Sequence, residues 1–344
     1  MNHNVLKQNR IISVIIISHQ RKKFIKIAIN SVLKQSLHRK YYEIIVVKNF
    51  IDEDIDSFIE YNGGKNIYTD AQTLGDKCVL GIENSNGNIL VFLEDDDIFA
   101  YEKLQKVLEV FEMQDVVYFH NNHFLINHDG RVINDSLFPD MKSTRIFKLD
   151  NTCDRNIGWI LKHGGSFNLS SIAVRSNILL NHLSYLKGMN VAVDNFMFYV
   201  ALASKSNLRI DAKKLTLYRI HGENSSFPAD QDTNLLLSRA KDFLESDIYG
   251  YKAIYNSVSD QIIKHLVQCR IFAPMLNLHV IDIKSESLTM GDYKEALKCG
   301  IKMRNIEIII LIIVDLFSMR YKNIGRYLYI HYLRRMSKLI SKKI

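Results

Sequence analysis

The chain has 344 residues, of which 47% are hydrophobic and 24% are charged. This composition excludes an intrinsically disordered protein, and the length suits one large domain or a domain with an appendage. The net charge is +8, but eight Lys and Arg residues and no acids lie between residues 316 and 344, which leaves 37 basic against 37 acidic residues elsewhere. The excess charge therefore belongs to the tail, which argues against a nucleic-acid-binding protein.

Short apolar runs alternate with helical segments along the first 120 residues. Helical periodicity covers 21–35, 52–61, 74–85 and 101–113. The runs that have the length of buried strands are IISVIII (11–17), YEIIVV (42–47), NIYT (66–69), NILVFL (88–93) and DVVYFH (115–120). Buried strands separated by helices predict an α/β fold with a Rossmann-like, mostly parallel sheet. The first run is too short for a signal peptide and lacks a cleavage site.

The pattern changes beyond residue 120. The segment HGGSFNLSSIAVRSNILL (163–180) predicts a strand and then a helix, 191–204 a helix, and 209–221 a strand. Residues 235–300 are helical in character, and the apolar segment IEIIILIIVDLF (306–317) precedes the basic tail. We therefore predict a domain over 1–230, with halves at 1–120 and 121–230, and a helical C-terminal region over 231–344.

The four cysteines Cys78, Cys153, Cys269 and Cys299 are widely spaced. The sequence contains no C-x-x-C pair, and we expect no zinc site from the spacing of its cysteines and histidines. This usage predicts four reduced thiols in a cytoplasmic protein.

The segment FLEDDDIF (92–99) places four consecutive acids, here called the acidic loop (94–97), between a buried strand and a helix. Ligands of open parallel sheets bind outside the carboxyl ends of the strands, so these acids are expected to face a crevice. Oxygen ligands in small number favour Mn²⁺ or Mg²⁺, bound together with a phosphate-bearing substrate. The alternative is that the acids cap the following helix, although four exceed what a cap needs.

Two further segments carry candidate residues. In YRIHGENSS (218–226), Arg219 and His221 are suited to a metal-bound diphosphate, and His221 is also a candidate metal ligand. A histidine that follows a strand is, alternatively, structural. In VAVDNFMFYVAL (191–202), Asp194 precedes an apolar helical run, where it is either the helix N-cap or a general base.

Taken in order, these segments from residue 11 to about 226 resemble the family 2 glycosyltransferases, which have the GT-A fold. The resemblance implies transfer of a sugar from a nucleotide-sugar donor to a hydroxyl acceptor, with a divalent cation and with inversion at the anomeric carbon. It makes Asp194 the base that takes the acceptor proton. The acceptor is then a glycan, a polysaccharide or glycoprotein precursor, or a lipid-linked saccharide.

The resemblance also implies binding roles. Within the DXD-type acidic loop, Asp96 would bind the metal with support from Asp97, Asp95 would contact ribose or phosphate, and His221 would add a metal ligand. The residues assigned to the donor are Ser18, His19, Arg21, Lys48, Asn49, Lys77, Asp95 and Arg219. Lys48 and Asn49 stand where the family usually has an acid that contacts the base, so the identity of the nucleotide stays open.

The remaining expectations concern the acceptor and the membrane. Trp159 is either a stacking surface for the acceptor sugar or a core residue. The apolar run 308–314 is too short to span a bilayer, which needs about 20 residues. With the basic tail it predicts peripheral binding to the anionic inner face of the cell membrane, whereas the alternative is a solvated tail that packs on the catalytic domain. A second functional hypothesis is a catalytically silent GT-A module that partners an active enzyme.

Overall fold

The computed structural model describes residues 11–113, 115–133, 141–149, 157, 160, 163–221, 232–282, 288–303 and 305–341. They belong to two compact units. The first ends at Arg219 and holds the sheet. The second begins at Ile220, holds the C-terminal helices, and also takes in Asn127–Asp129 and Met189–Ala192.

The first unit is built on one sheet. Its strands follow the order β3-β2-β1-β4-β9-β6-β10-β5, with β7 paired to β6 and β8 to β10. The strands are β1 (Ile12–Ser18), β2 (Tyr42–Lys48), β3 (Lys65–Tyr68), β4 (Ile89–Glu94), β5 (Ile98–Phe99), β6 (Val116–Ile126), β7 (Val132–Ile133), β8 (Arg145–Phe147), β9 (Ile172–Arg175) and β10 (Asn207–Arg219).

The predicted parallel arrangement is present in half of the sheet. The pairs β2–β3, β1–β2 and β1–β4 are parallel. Beyond β4 the sheet is mixed, because β9 enters between β4 and β6 and is antiparallel to both, while β10 is parallel to β6. An apolar run indicates that a strand is buried but carries no information on its direction, so the reversal of β9 has no sequence signal.

Helices cover both faces of the parallel half. Ile12, Val14 and Ile16 of β1 belong to one core cluster with the buried faces of α1 and α4. Ile15 points to the other face, where α3 packs so closely that a Cβ on Gly81 would lie 2.4 Å from the Ile15 side chain. Each buried isoleucine contributes about 1.5–3 kcal/mol. The helices of this unit are α1 (Ile25–Leu33), α2 (Glu53–Tyr61), α3 (Leu74–Glu83), α4 (Lys103–Glu112), α5 (Ser176–Leu180), α6 (Leu183–Leu186) and α7 (Val193–Ala203).

The described part of the second unit is helical from residue 233, as the sequence predicts. Its first four helices each begin after a side chain that accepts a backbone N–H, and these caps are Asp232, Asp260, Thr289 and Asn305. The buried Asp315 joins three helices, since it accepts hydrogen bonds from the Tyr293 hydroxyl and contacts His279 Nδ1 at 2.7 Å. The helices are α8 (Thr233–Ser257), α9 (Gln261–Ile281), α10 (Met290–Lys302), α11 (Ile306–Arg320) and α12 (Lys322–Ser341).

The cysteines differ from their prediction. Cys269 on α9 and Cys299 on α10 form a disulfide, so the expectation of four reduced thiols is wrong for this pair. Thirty residues separate them, and only the packing of the two helices brings them together. Cys78 is a buried free thiol, and Cys153 lies outside the described residues.

No helix in the described part of the chain is long and apolar enough to cross a membrane. Helix α11 nevertheless exposes a row of large apolar side chains, whereas Ile308 and Ile312 on its other face are buried. The exposed row is Ile306, Ile310, Ile313 and Phe317, each with at least 53% of its surface accessible.

Candidate functional site

The carboxyl ends of β1 and β4 lie side by side, because the register of this parallel pair places Ile17 opposite Glu94. Ser18 ends β1, and its hydroxyl donates a hydrogen bond to Asp95, which follows β4. The backbone N–H of His19 donates a second hydrogen bond to the same carboxylate at 3.4 Å. The sheet therefore joins the turn after the first strand to the acidic loop.

Arg21 neutralises part of the acidic loop. Its Nη2 lies 2.7 Å from Asp95 Oδ1, and its Nη1 lies 2.6 Å from Asp96 Oδ2. Burial disfavours the charge on the guanidinium, but the two carboxylates outweigh this effect and hold the pKa of Arg21 above its ordinary value. A cation is the expected counter-charge of these acids, and the fold supplies one guanidinium in addition.

Negative charge nevertheless remains in excess. Burial, followed by repulsion from Asp96, raises the pKa of Glu94 to about 8. Burial also raises the pKa of Asp95 to about 6, although Arg21 partly opposes this shift. The pKa of Asp97 is raised for the same reasons, burial first. A buried set of carboxylate oxygens with too little positive charge around it fits a hard divalent cation such as Mg²⁺ or Mn²⁺.

The acidic loop does not by itself surround a cation. Among the described residues, the single group of three His, Cys, Asp or Glu side chains whose ligand atoms converge within 4.8 Å lies elsewhere, on α9 and α10. At most two carboxylates of the loop are thus placed to share one ion. This is the usual arrangement for Mg²⁺, which takes one or two carboxylates together with waters and substrate phosphates.

Arg219 ties the end of β10 to the acidic loop. Its backbone N–H donates to Asp97 Oδ1 at 2.8 Å, and its Nε donates to the backbone carbonyl of Asp96 at 2.7 Å. The buried guanidinium also lies over the ring of Phe24, 4.3 Å from its centroid. Asp97 therefore has a structural partner within the fold, whereas the Asp96 carboxylate faces the Arg21 side chain.

Three of the predicted donor-binding residues form a second group beside Asp95. His19 Nδ1 lies 2.5 Å from Lys77 Nζ and 3.2 Å from Asn49 Nδ2. Both neighbours are N–H donors, so Nδ1 is the unprotonated acceptor. Burial, together with Lys77 and Arg21, accordingly lowers the pKa of His19. Burial lowers the pKa of Lys77 to about 8, with Asp95 opposing the shift.

Lys48 does not join this group. Although it ends β2, its side chain is buried and its Nζ donates to the carbonyl of Phe50 at 2.7 Å. The same ammonium lies 2.6 Å from Asp56 Oδ1 on α2. These contacts fix the turn between β2 and α2, and they point the charge away from His19.

Asp194 lies in the first turn of α7, one residue inside the helix. Its two oxygens accept backbone N–H groups, Oδ1 from Asn195 at 2.8 Å and Oδ2 from Asn168 at 3.0 Å. Burial outweighs these hydrogen bonds and raises the pKa of Asp194. The same short segment reaches the acidic loop, since the hydroxyl of Ser170, two residues after Asn168, accepts the Glu94 N–H at 3.0 Å. Asp194 therefore lies near the loop, in agreement with its contribution to the raised pKa of Glu94.

Asn168 stands beside Asp194, and no motif of the sequence indicates it. Its backbone is left-handed, with φ of 60°, a conformation that asparagine tolerates better than most residues. Its side chain is 5% exposed, and neither amide atom is hydrogen-bonded to any of the described residues. A buried amide without a partner is costly, which marks this position as one that a substrate hydroxyl would satisfy. The sequence signal, one Asn in a Ser-rich segment, is too common to single it out.

The roles predicted for two further residues stay predictions. His221 is buried, but it belongs to the second unit. Trp159 lies outside the described residues, so its two alternatives stay open.

The chain is similar in sequence to known glycosyltransferases. The family model described as Glycosyl transferase family 2 matches residues 13–166. An uncharacterized glycosyltransferase of Rickettsia bellii is 26% identical over 63% of this chain, and one of Nostoc sp. is 27% identical over 65%. The matched region is 30% of the Rickettsia protein and 69% of the Nostoc protein. The chain thus spans about a third of the length of its Rickettsia relative.

Solved structures share the fold. The crystal structure of S. aureus TarS 1–349 in complex with UDP-GlcNAc matches 96% of this chain and 92% of its own, with a TM-score of 0.58 and 14% identity. Another crystal structure of S. aureus TarS 1–349 matches 96% of this chain and 91% of its own, with a TM-score of 0.56 and 15% identity. At this identity the likeness shows the fold alone.

Proposed function

Because the chain is a family 2 glycosyltransferase with the GT-A fold, we propose that it moves a sugar from a nucleotide-sugar donor to a hydroxyl acceptor, with a divalent cation and with inversion. The observation that carries this proposal is the position of Asp194. The Asn168 N–H donates to Asp194, and two residues further on the Ser170 hydroxyl accepts the Glu94 N–H of the acidic loop. A base for the acceptor and a site for the donor diphosphate are thus near each other.

The donor half of the mechanism rests on charge. Asp96 would hold the cation, which neutralises the diphosphate and stabilises it as the leaving group when bound. Arg21 lies on Asp95 and Asp96, so donor binding requires the guanidinium to exchange carboxylates for phosphate oxygens or to contact both. Lys77 and His19 lie on the other side of Asp95, where they are suited to phosphate or ribose. TarS, which shares the fold, was solved with UDP and with UDP-GlcNAc, and this favours a donor of the same chemical class.

The acceptor half rests on Asp194. Its carboxylate is held by two backbone N–H groups, and therefore keeps one orientation without a cationic partner. Its raised pKa makes it a stronger base than an exposed aspartate. It would take the proton from the acceptor hydroxyl as that oxygen attacks the anomeric carbon. A single displacement of this kind inverts the configuration. The buried amide of Asn168 would orient the acceptor or the donor sugar through a hydroxyl group.

A panel experiment tests this function. The purified chain is incubated with UDP-, GDP- and dTDP-sugars, with Mn²⁺ or with chelator, and release of nucleoside diphosphate and thermal shift are both recorded. We expect one nucleotide class to give a metal-dependent thermal shift and slow donor hydrolysis. Binding without turnover on any saccharide acceptor would instead support a silent GT-A module, a role that the Arg21 bridge across Asp95 and Asp96 favours. No response to any donor or metal would contradict both.

Donor binding should weaken at alkaline pH because of Lys77. The charged ammonium is the form that attracts phosphate, and the charged fraction falls as pH rises through about 8. We expect the KM for the donor to rise above this pH in the wild type and to stay flat in Lys77→Arg, whose guanidinium does not titrate. The groups around Lys77 that act on its charge are Asp95, Asp76, Cys78, Arg21 and His19. A wild-type profile that is flat, or one that Lys77→Arg leaves unchanged, would contradict the phosphate role.

We also propose that α11 and α12 bind an anionic membrane surface. Helix α11 exposes Ile310 and Ile313 at 53% and 60%, and the tail beyond it carries only basic charge. Apolar side chains beside cations suit an interfacial helix, and each nearby Lys or Arg adds about 1 kcal/mol at an anionic surface. An acceptor that is linked to lipid would then be presented to the enzyme at the membrane.

Liposome flotation measures this association. The full chain should float with vesicles of phosphatidylcholine and phosphatidylserine, and less with phosphatidylcholine alone. Ile310→Asn combined with Ile313→Asn should reduce flotation several-fold. Leu297→Asn on α10, a 42% exposed position of the same unit, is the matched control and should float like the wild type. Equal flotation of all three proteins would contradict a role of α11 in membrane binding.

A further inference from the structure

A second cluster of ligand side chains lies in the helical unit, apart from the residues of the glycosyl-transfer site. His265 and Cys269 are one turn apart on α9 and therefore lie on the same face of that helix. Cys299 of α10 faces them, and the ligand atoms of the three residues all lie within 4.8 Å of one another. His265 Nε2 is 3.8 Å from Cys269 Sγ. Both cysteines are buried, whereas His265 is half-buried at the rim.

A candidate for a fourth ligand, with oxygen as the donor atom, stands on α10. Glu295 precedes Cys299 by one helical turn, as His265 precedes Cys269 on α9. Its exposed carboxylate contacts Lys298 at 2.6 Å. The charge of His265 also acts on this carboxylate, after Lys298 and Lys294, and contributes to its lowered pKa. Glu295 lies outside the group of ligand atoms that converge within 4.8 Å, so its side chain would have to reorient to reach a cation held there.

We propose that the reduced cluster binds a divalent cation of the Zn²⁺ class, with Cys269, Cys299 and His265 as ligands and Glu295 or water in the fourth position. Thiolate and imidazole are the ligands that select this class over Mg²⁺ and Ca²⁺. With bonds of about 2.0–2.3 Å, tetrahedral ligand atoms stand roughly 3.3–3.8 Å apart. The 3.8 Å between His265 and Cys269 already meets this spacing, and the two sulfurs separate to it once their bond is reduced.

The disulfide and the metal complex are two states of one crosslink. A dithiol reductant gives two electrons and two protons to the disulfide, which becomes two thiols while the reductant is oxidised to its own disulfide. The cation then binds the two sulfurs, and two protons are released. In both states α9 stays joined to α10. The cysteines belong to a core cluster with Tyr293, Ile308 and Ile312. The crosslink therefore also stabilises the surface of α9 and α10 on which α11 packs.

Cobalt provides a direct spectroscopic test on the full chain. The protein is reduced with a phosphine under anaerobic conditions, and Co²⁺ is added as the probe. We expect one Co²⁺ per chain, with a thiolate charge-transfer band and the intense visible bands of tetrahedral cobalt, both lost on addition of Zn²⁺. His265→Gln should keep the charge-transfer band but weaken binding by about 10- to 100-fold. The oxidised chain should show neither band.

Matched variants decide the assignment. Cys269→Ser and Cys299→Ser should each reduce the charge-transfer band, and the double variant should lack it, whereas Cys78→Ala removes a thiol of the sheet unit and should leave it unchanged. A reduced wild type without the band, or a band that persists in the double variant, overturns the proposal. Because each serine variant places a hydroxyl in the buried core cluster, thermal melting of the reduced wild type, which needs no substitution, is the second measurement. Zn²⁺ should raise its Tm and leave that of the oxidised chain unchanged, and an equal shift in both would also overturn it.

Discussion

Asp194→Asn is expected to lower kcat for sugar transfer by about 10²- to 10⁴-fold, the usual contribution of a general base, while donor binding stays within a few-fold of the wild type. The amide keeps the shape of the carboxylate and one acceptor oxygen, so the hydrogen bond from the Asn195 N–H at 2.8 Å can persist. It cannot accept a proton from the acceptor. Initial rates with saturating donor give kcat, and calorimetric titration with nucleoside diphosphate and Mn²⁺ gives donor affinity.

Loss of stability must be separated from loss of chemistry in this experiment. The amide nitrogen would face the Asn168 N–H, and such an unmatched pair costs about 1–3 kcal/mol. Asp211→Asn is the matched control, because Asp211 is also a buried carboxylate of the first unit, held by Arg209 at 2.8 Å and by Thr144. It should lower the Tm by a similar amount and leave kcat near that of the wild type. If Asp194→Asn loses no more activity than Asp211→Asn, the base is another residue.

The sequence predicts most of the parallel half of the fold because β1, β2 and β4 are buried apolar runs that alternate with helices, whereas the exposed β3 carries a weaker signal. The same runs place Ser18 and Asp95 at neighbouring strand ends, and their hydrogen bond confirms that the two segments meet. The direction of β9 and the pairing of Cys269 with Cys299 could not be predicted from the sequence. Both depend on contacts between segments that are distant in the chain, and neither leaves a local periodicity or spacing.

The direction of a side chain at a strand end is a second feature that the sequence does not predict. Lys48 and Asn49 are adjacent in sequence and share one predicted role, yet Asn49 reaches His19 while Lys48 turns to Asp56 on α2. Successive side chains at a strand end point to opposite faces, and no motif states which face holds the ligand. Asn168 lies beyond sequence reasoning for another reason: its value comes from a buried amide without a partner among the described residues, which is a property of the packed structure.

Asp96→Ala is expected to abolish metal-dependent donor binding with little change in fold stability. The Asp96 carboxylate contacts Arg21, whereas it is the backbone carbonyl of Asp96 that holds Arg219, and alanine keeps that carbonyl. Asp97→Ala should have the opposite pattern of effects, with a larger loss of stability and a smaller loss of metal binding. It leaves the buried Arg219 N–H without its acceptor, which costs about 1–3 kcal/mol, and should weaken metal binding less. Titration with Mn²⁺ and nucleoside diphosphate, together with thermal melting, separates the two effects.

The comparison of the two variants locates the cation within four consecutive acids. If Asp96→Ala binds donor and Mn²⁺ like the wild type while Asp97→Ala does not, the metal ligand is Asp97 and the assignment is wrong by one residue. Arg21→Gln adds an independent measurement. The guanidinium and the cation compete for the Asp96 carboxylate, so its removal should strengthen binding of Mn²⁺ alone even as it weakens binding of the donor diphosphate. If Arg21→Gln loses binding of both Mn²⁺ and the donor diphosphate, Arg21 maintains the conformation of the acidic loop. The excess negative charge of the four acids would then be tolerated only while Arg21 bridges Asp95 and Asp96.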